Sequence, residues 1–542
     1  MRRFHMENKT NMIEKIMNEP QPIPRKVPDY MRKSGGFMFW TGAMISAVFL
    51  YEVVTGLILL FYYEPSNAYK STEAFLNTVP YGSIILTTHL YGAYAMIVLV
   101  YIHLLRNLFV GAYKKPRQMQ WLSGILLLLL TIGVGFFGYS MSGDVLSQDA
   151  TDVGRGISGA TPVIGQYLTS LFFGSGTQLS LFHRLLAWHI VLAALIGIIF
   201  LAHFFLAEYN TIMPSGKDSG HRAPAIDHDD GTYKEWYPYN LMYMLQIVLY
   251  TLGIVVVVPS ILAAIPNVPA LFSPFPQVSP SSPLAMSVPA YPPWFLLFVY
   301  KELDFQFAQG LGPFYATVIF AGLPLAYLVF LPYIDTKASL KLVDRPITVS
   351  FAIVGVVYLA ILSAWGALEP GVPIPNGVVA IFYAVPLIVI TALVELISWA
   401  IKTEKLKNPY AGGIILSATF AGLSAFGIGM VLIYAAGKYT PEVVAGLSIL
   451  GLFLAISLLF TFGLITGVYP PKEHANSSTL SGNTYVAYSS ILGILAIVIF
   501  FEILSMPFGN VYDQSLYGIG LGFLLIIGGL MIKIYRAQYY HE

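Results

Sequence analysis

Long apolar runs recur along this chain, separated by shorter polar segments in which most of its charged residues collect. A bilayer core about 30 Å thick is spanned by roughly 20 apolar residues in a helix. Twelve segments meet that criterion: 37–63, 82–110, 119–142, 180–206, 240–264, 313–334, 347–368, 377–401, 411–436, 441–468, 485–506 and 515–536. The pattern predicts an all-α, polytopic membrane protein of about twelve transmembrane helices. Of the 542 residues, 56% are hydrophobic and only 11% charged, which excludes an ordinary soluble enzyme.

The net charge of +1 says little, because in a membrane protein the placement of Lys and Arg matters more than their sum. The first 35 residues carry eight Lys/Arg and lack the compact apolar core of a signal peptide, so the first span is expected to be an uncleaved anchor. With that tail inside, 24 of the 29 Lys/Arg fall on the cytoplasmic side, leaving Lys70, Arg155, Arg184, Lys301 and Lys438 outside. The expectation is a multi-pass protein of the cell membrane with both termini cytoplasmic, and with no nucleic-acid partner. The absence of cysteine excludes disulfides, covalently attached c-type haem and an iron–sulfur cluster held by this chain alone.

Two outer connections, 143–179 and 265–312, are too long for simple turns; the second holds nine prolines between Pro266 and Pro293. Taken alone, the proline-rich stretch reads as a stiff, passive external loop. The cytoplasmic segment 207–239, with His221, His228 and an acidic DHDD run, reads as a solvated loop, with a weak indication of a metal site.

The chemistry concentrates in histidine. His89 and His103 lie fourteen residues apart in one predicted span, and His189 and His203 repeat the spacing in another. Fourteen helical steps return to within about 40° of the same face and rise about 21 Å. Two such helices running in the same direction set His89 opposite His189 and His103 opposite His203, giving two bis-imidazole sites at two depths. A single histidine in a membrane helix is more often a hydrogen-bonded packing residue or part of a proton path; four in this register point elsewhere. Two imidazoles leave a zinc tetrahedron half empty, whereas an iron porphyrin asks for two axial ligands. Gly42 and Gly56 in the first span, and Gly124 and Gly138 in the third, copy the fourteen-residue spacing and would leave room for a flat macrocycle. Arg106 and Arg184 suit haem propionates or, equally, act as snorkelling interfacial cations.

With its two H-x13-H and two G-x13-G pairs, Thr55-Gly56, Gly138-Tyr139, the G-A-T of 159–161 and the R-x4-H of 184–189, the chain resembles cytochrome b of quinol-oxidising cytochrome bc complexes over about residues 35–400. The resemblance implies an eight-helix core with a di-haem four-helix bundle, and two haems as cofactors. A lower-potential haem would lie near the outer face on His89 and His189, and a higher-potential one near the cytoplasmic face on His103 and His203. It also implies a quinol pocket walled by the end of the third span and both long outer loops, which gives the proline-rich segment a function. A Rieske iron–sulfur protein is the implied electron-accepting partner.

Departures from the family concern quinone chemistry. The P-E-W-Y signature reads Pro292-Pro293-Trp294-Phe295, so the carboxylate expected to accept a quinol proton is missing there. Glu302, Asp304 and Glu52 are candidate substitutes, with Tyr139 as a further quinol-site residue; the alternatives are an interfacial acid paired with Lys301 and a glutamate hydrogen-bonded near the haem. The family's G-Y-x-L-P-W-G becomes G-Y-S-M-S-G-D at 138–144. Met244 stands where an acid is usual and Glu208 where a histidine is usual, which bears on a second, quinone-reducing site.

The expected organisation is a cytoplasmic tail (1–35), a di-haem bundle (36–210), a second region with the quinol-site loop (211–402) and a four-helix extension (403–542) assigned to packing against other subunits. An extended, cysteine-free chain of this kind resembles archaeal members found in Sox-type respiratory complexes. That resemblance implies terminal oxidase subunits as partners and either haem b or an A-type haem. Two further readings stay open: an electron-transfer subunit of a quinol oxidase supercomplex lacking one quinone site, and a twelve-span secondary transporter.

Overall fold

The structure, a computed structural model, describes residues 36–210, 236–406, 481–507 and 509–540, with short pieces at 27–28, 31–32, 233–234 and 429. Among the described residues ten helices are long and apolar enough to cross a membrane. The predicted spans 411–436 and 441–468, and His221, His228 and the DHDD run, lie outside the described residues. Among the described residues, apart from a two-residue pairing of Val27–Pro28 with Tyr233–Lys234 and a single bridge between Phe305 and Ile374, the regular structure is helical. This is an integral membrane protein.

The first four spans are α1 (Thr41–Leu60), α2 (Gly82–Val110), α3 (Gln118–Ser140) and, beyond the outer loop, a long helix Gln178–Asn210. The outer loop itself is not irregular. It folds into α4 (Val145–Gly159) and α5 (Gly165–Phe173), which makes the Gln178–Asn210 span α6. Asp144 starts α4 as its N-cap, accepting the amide of Ser147 at 2.9 Å. In the four-span unit α1 packs along α2, and α3 along α6. α6 buries only Leu185, Ile196 and Asn210, as a helix apolar on all sides does when most of its neighbours are lipid.

The next span is α7 (Leu241–Ala264). The proline-rich loop then leads into α8 (Leu297–Leu303), and further spans follow as α9 (Leu323–Ile334, the end of the Pro313–Ile334 span), α10 (Pro346–Leu368) and α11 (Asn376–Lys402). α10 is the most enclosed of these, with Trp365, Val357 and Leu362 in a large apolar core shared with α2, α3 and α11. At the C-terminal end of α2 Arg345 clasps the helix, donating to the carbonyl oxygen of Leu108 at 3.0 Å. Nearby, Lys114 pairs with Asp335 at 2.7 Å.

The last two helices are α12 (Gly482–Ser505) and α13 (Val511–Tyr539). Within the extension α13 lies antiparallel along α7, so one of its faces packs on the core of the same chain. Gly253 and Gly522 meet there, and a Cβ added at either would stand 2.9 Å from the other's carbonyl oxygen. Small residues permit this close approach of two membrane helices. Arg536 closes the contact at the inner end, donating to Gln246 Oε1 at 2.8 Å and standing 4.6 Å over the Tyr243 ring. Gly522→Leu should push α13 off α7 at a cost of about 1–3 kcal/mol, typical of overpacking. A lowered thermal midpoint of the detergent-solubilised protein checks this; an unchanged midpoint counts against the packing.

Candidate functional site

The four histidines come together in the two pairs that their spacing requires. His89 and His189 have ring centres 6.3 Å apart with planes at 70°, and His103 and His203 have ring centres 6.4 Å apart, also at 70°. A metal–imidazole bond of about 2.0–2.1 Å, followed by about 1.1 Å from that nitrogen to the ring centre, spans about 6.3 Å when taken on both sides of one ion. The pairs therefore have the separation of two axial ligands. Among the described residues no three or more His, Asp or Glu side chains gather into a cluster that could hold a metal ion, so each level offers two ligands and no cage.

In every ring it is Nδ1 that bonds the protein. Thr41 Oγ1 lies 2.8 Å from His103 Nδ1, Thr55 Oγ1 2.9 Å from His89 Nδ1 and Ser123 Oγ 2.9 Å from His203 Nδ1. Each hydroxyl proton is given to a carbonyl one helical turn back, that of Met38, Tyr51 or Gln120, which leaves the hydroxyl oxygen to accept Nδ1–H. Phe137 takes the corresponding position at the fourth site, and there His189 Nδ1 turns instead to the carbonyl oxygen of Val134 at 3.0 Å. With Nδ1 protonated, the lone pair is left on Nε2, the tautomer a metal ligand needs.

Each hydroxyl directly precedes one of the four glycines, and each glycine faces an imidazole. A Cβ would stand 2.7 Å from His189 Cε1 at Gly138, 3.2 Å from His89 Cε1 at Gly56, 3.2 Å from His203 Cε1 at Gly124 and 3.9 Å from His103 Cε1 at Gly42. The space these glycines leave is thus taken at least partly by the edges of the histidine rings, a closer role than room for a macrocycle alone. A cavity of about 50 Å³ lies beside the inner pair, lined by His103, His203, Gly124 and Trp121. Arg106 is buried, its guanidinium 4.4 Å over the Phe39 ring and bonded to Asn107 Oδ1 at 3.0 Å, whereas Arg184 is exposed.

At the outer ends of α2 and α3 the two long loops are tied together. Asp144 Oδ2 accepts the Gln277 amide at 2.6 Å, and the Val145 amide donates to the Val278 carbonyl at 3.0 Å. The altered signature is packed inward: Trp294 meets Tyr94 with ring centres 5.4 Å apart, and Phe295 is buried against Tyr94 and Gly135. Tyr139 lies in electrostatic reach of Tyr94, Tyr300, Asp144 and Asp149. The result is a cluster of aromatic side chains near the end of α3, beside the joined loops.

The candidate acids do not converge on that aromatic cluster. Glu52 Oε2 sits 3.0 Å from His89 Nδ1, so Glu52 belongs to the outer histidine pair. Asp304 is held by Lys301 at 3.2 Å, and Lys301 also donates to the carbonyl oxygens of Glu369 (2.6 Å) and Val372 (3.0 Å), so this acid is the interfacial partner of Lys301. Glu302 is buried in α8 and accepts a hydrogen bond from Tyr383 of α11. Tyr300, two residues earlier and on the opposite side of α8, donates to the Ala150 carbonyl of α4 at 3.4 Å. Burial pushes the Glu302 carboxyl up to about 8, against the smaller opposing effect of Tyr383. At the N-terminal end of α7 Met244 packs into an apolar cluster with Trp40, Tyr243 and Ile247, and Glu208, near the end of α6, is exposed.

Comparison with known proteins places the chain. A family model described as cytochrome b (N-terminal)/b6/petB matches residues 94–280. A protein of Sulfolobus acidocaldarius named cytochrome b is 36% identical over 566 aligned residues, covering 98% of both chains. The menaquinol:cytochrome c reductase cytochrome b subunit of Geobacillus thermodenitrificans is 34% identical over 33% of this chain and 84% of its own length. Among solved structures, a chain of a hyperthermophilic respiratory Complex III shares the fold, with a TM-score of 0.55 and 20% identity over 72% of this chain and 97% of that one. Identity at more than one position in three, sustained along nearly the whole of both sequences, means that this chain belongs to the cytochrome b family.

Proposed function

We propose that this electron-transport protein is the di-haem cytochrome b subunit of a respiratory, quinol-oxidising oxidoreductase. The observation that carries the proposal is the geometry of the two imidazole pairs, 6.3 and 6.4 Å between ring centres, with all four Nδ1 atoms already engaged. When bound, two haems supply one-electron transfer between the outer and cytoplasmic sides, the potential of each set by its ligands and their hydrogen bonds. His89 and His189 hold the outer one, His103 and His203 the inner one. The haem is of b type or, as in the archaeal subgroup, A-type; Arg106 and Arg184 are the candidate propionate partners.

The quinol ring is proposed to bind beside the aromatic cluster of Tyr94, Tyr139, Trp294 and Phe295. Pro293 removes the usual acid, and Glu302 is the proposed proton acceptor. Its Oε2 is buried without a hydrogen-bond partner, and its carboxyl titrates near working pH. The route from the aromatic cluster passes around α8, since Glu302 faces α11. The second electron leaves for a Rieske iron–sulfur partner, for which the outer face offers the exposed apolar residues Val163 and Met286.

Residues 1–35 form the cytoplasmic tail, 36–210 the haem bundle, 211–402 the quinol-loop region and 403–542 an extension with α13 docked on the core. Both termini are cytoplasmic. Terminal oxidase subunits are proposed as further partners, and the packing of Met244 into an apolar cluster supports the variant reading in which the cytoplasmic quinone site is absent. Anaerobic addition of a reduced quinone to the purified protein should reduce its haem absorption bands; a visible spectrum unresponsive to any quinol contradicts the proposal.

A further inference from the structure

We infer that Glu52 is a positioning residue that sets the redox potential of the outer haem through His89. The inference rests on the di-haem reading above and deepens it. The structure contains its own controls, because four histidines occupy equivalent positions and only one has an acidic neighbour. His103 and His203 give Nδ1–H to hydroxyls, and His189 to a backbone carbonyl, all neutral. Of the four, His89 alone has a carboxylate at Nδ1, that of Glu52 at 3.0 Å, beside the Thr55 hydroxyl at 2.9 Å. The asymmetry follows from the sequence: Glu52 precedes Thr55 by three residues, and the residue at the same offset from Thr41 is Met38.

The placement costs stability. Glu52 Oε1 is buried with no hydrogen-bond partner, and an unsatisfied buried polar atom is expensive unless something else compensates. Room for the carboxylate comes from Gly92 on α2. A Cβ there would overlap Oε1 and come within 3.0 Å of Cδ. An oxidised haem iron, carrying one more positive charge than the reduced form, supplies the compensation. A carboxylate bonded to Nδ1–H makes the imidazole a stronger donor through Nε2, and its negative charge acts in a medium of low dielectric. Both effects favour the oxidised state. Glu52 thus lowers the outer potential relative to the inner one, the direction that drives an electron from the outer pair to the inner pair.

The test is an optical redox titration of the full-length protein with Glu52→Gln and Gly92→Ala. The glutamine keeps an acceptor of the same shape without the charge; the alanine keeps the charge but displaces it from His89. In both variants the haem that is lost on His89→Ala should become easier to reduce. At a fixed potential its reduced-to-oxidised ratio should rise about tenfold, equal to about 59 mV for a one-electron couple. The other haem should not move, and pyridine haemochrome analysis should still find both. An unchanged outer midpoint in Glu52→Gln with both haems present overturns the inference, as does a shift confined to the inner haem. A wild-type protein without haem refutes the functional reading itself, a distinct result.

Discussion

His89→Ala and His189→Ala should each remove one haem, the same one, while His103→Ala and His203→Ala should each remove the other. The prediction follows from ring separations that only these two pairings give, and from a bundle in which both histidines of a pair come from different helices, α2 and α6. Each single variant should keep about half of the haem absorbance, and the bonds to the Nδ1 atoms of the untouched pair should retain the remaining centre, since losing such bonds typically costs 10–100-fold in metal affinity. The double variant His89→Ala/His189→Ala should look like either single one, whereas His89→Ala/His203→Ala should lose both haems. Reduced-minus-oxidised spectra of the purified variants read this directly. Loss of the same haem in His89→Ala and His203→Ala contradicts the stacked arrangement.

The second large effect is expected at Glu302. A buried carboxyl held up to about 8 is mostly protonated at neutral pH, so a step that needs it as a proton acceptor should quicken as pH rises and level off above about 8. Glu302→Gln should slow quinol oxidation roughly 10²-fold, the lower end of general-base contributions, and abolish that inflection. Stability changes in the opposite sense. The folded value lies above the ordinary 4.5, so the folded state binds the extra proton between about 4.5 and 8. The stabilisation is complete below the lower value and is lost as pH rises through the upper one. Thermal midpoints of the wild type should therefore fall across that range, and those of Glu302→Gln should fall less. Equal pH profiles of rate in both proteins would remove Glu302 from the proton path.

Much of this was legible in the sequence because a helix repeats on a short, fixed period. The fourteen-residue register of the histidines and glycines determines both faces and depths, and the structure sets His89 against His189 and His103 against His203 accordingly. Thr41 and Ser123 were less visible. A lone hydroxyl in a membrane helix commonly bonds its own backbone, and their significance shows only when each is seen one residue before a glycine and beside a histidine ring. The acids could not be assigned from sequence, because Glu52, Glu302 and Asp304 differ in what faces them across the fold. The structure gives them His89, Tyr383 and Lys301 respectively, so two of the three stand closer to the bland alternatives weighed for them than to quinol.

The outer loops show a different limit. Their length set them apart and the family resemblance gave them a function, whereas the prolines alone read as a passive loop; the clasp from Asp144 to Gln277 joins segments over a hundred residues apart, which no local pattern marks. The docking of α13 was likewise hidden. Gly518 and Gly522 in its sequence mark a close-packing face, and only the fold shows that Gly253 and Ser260 of α7 meet it.

The central claim is that this chain holds two haems, each between one histidine of α2 and one of α6. Pyridine haemochrome analysis of the purified full-length protein, referred to its protein concentration, tests it most directly. Two haems per chain is the predicted result; one per chain, or none, contradicts it.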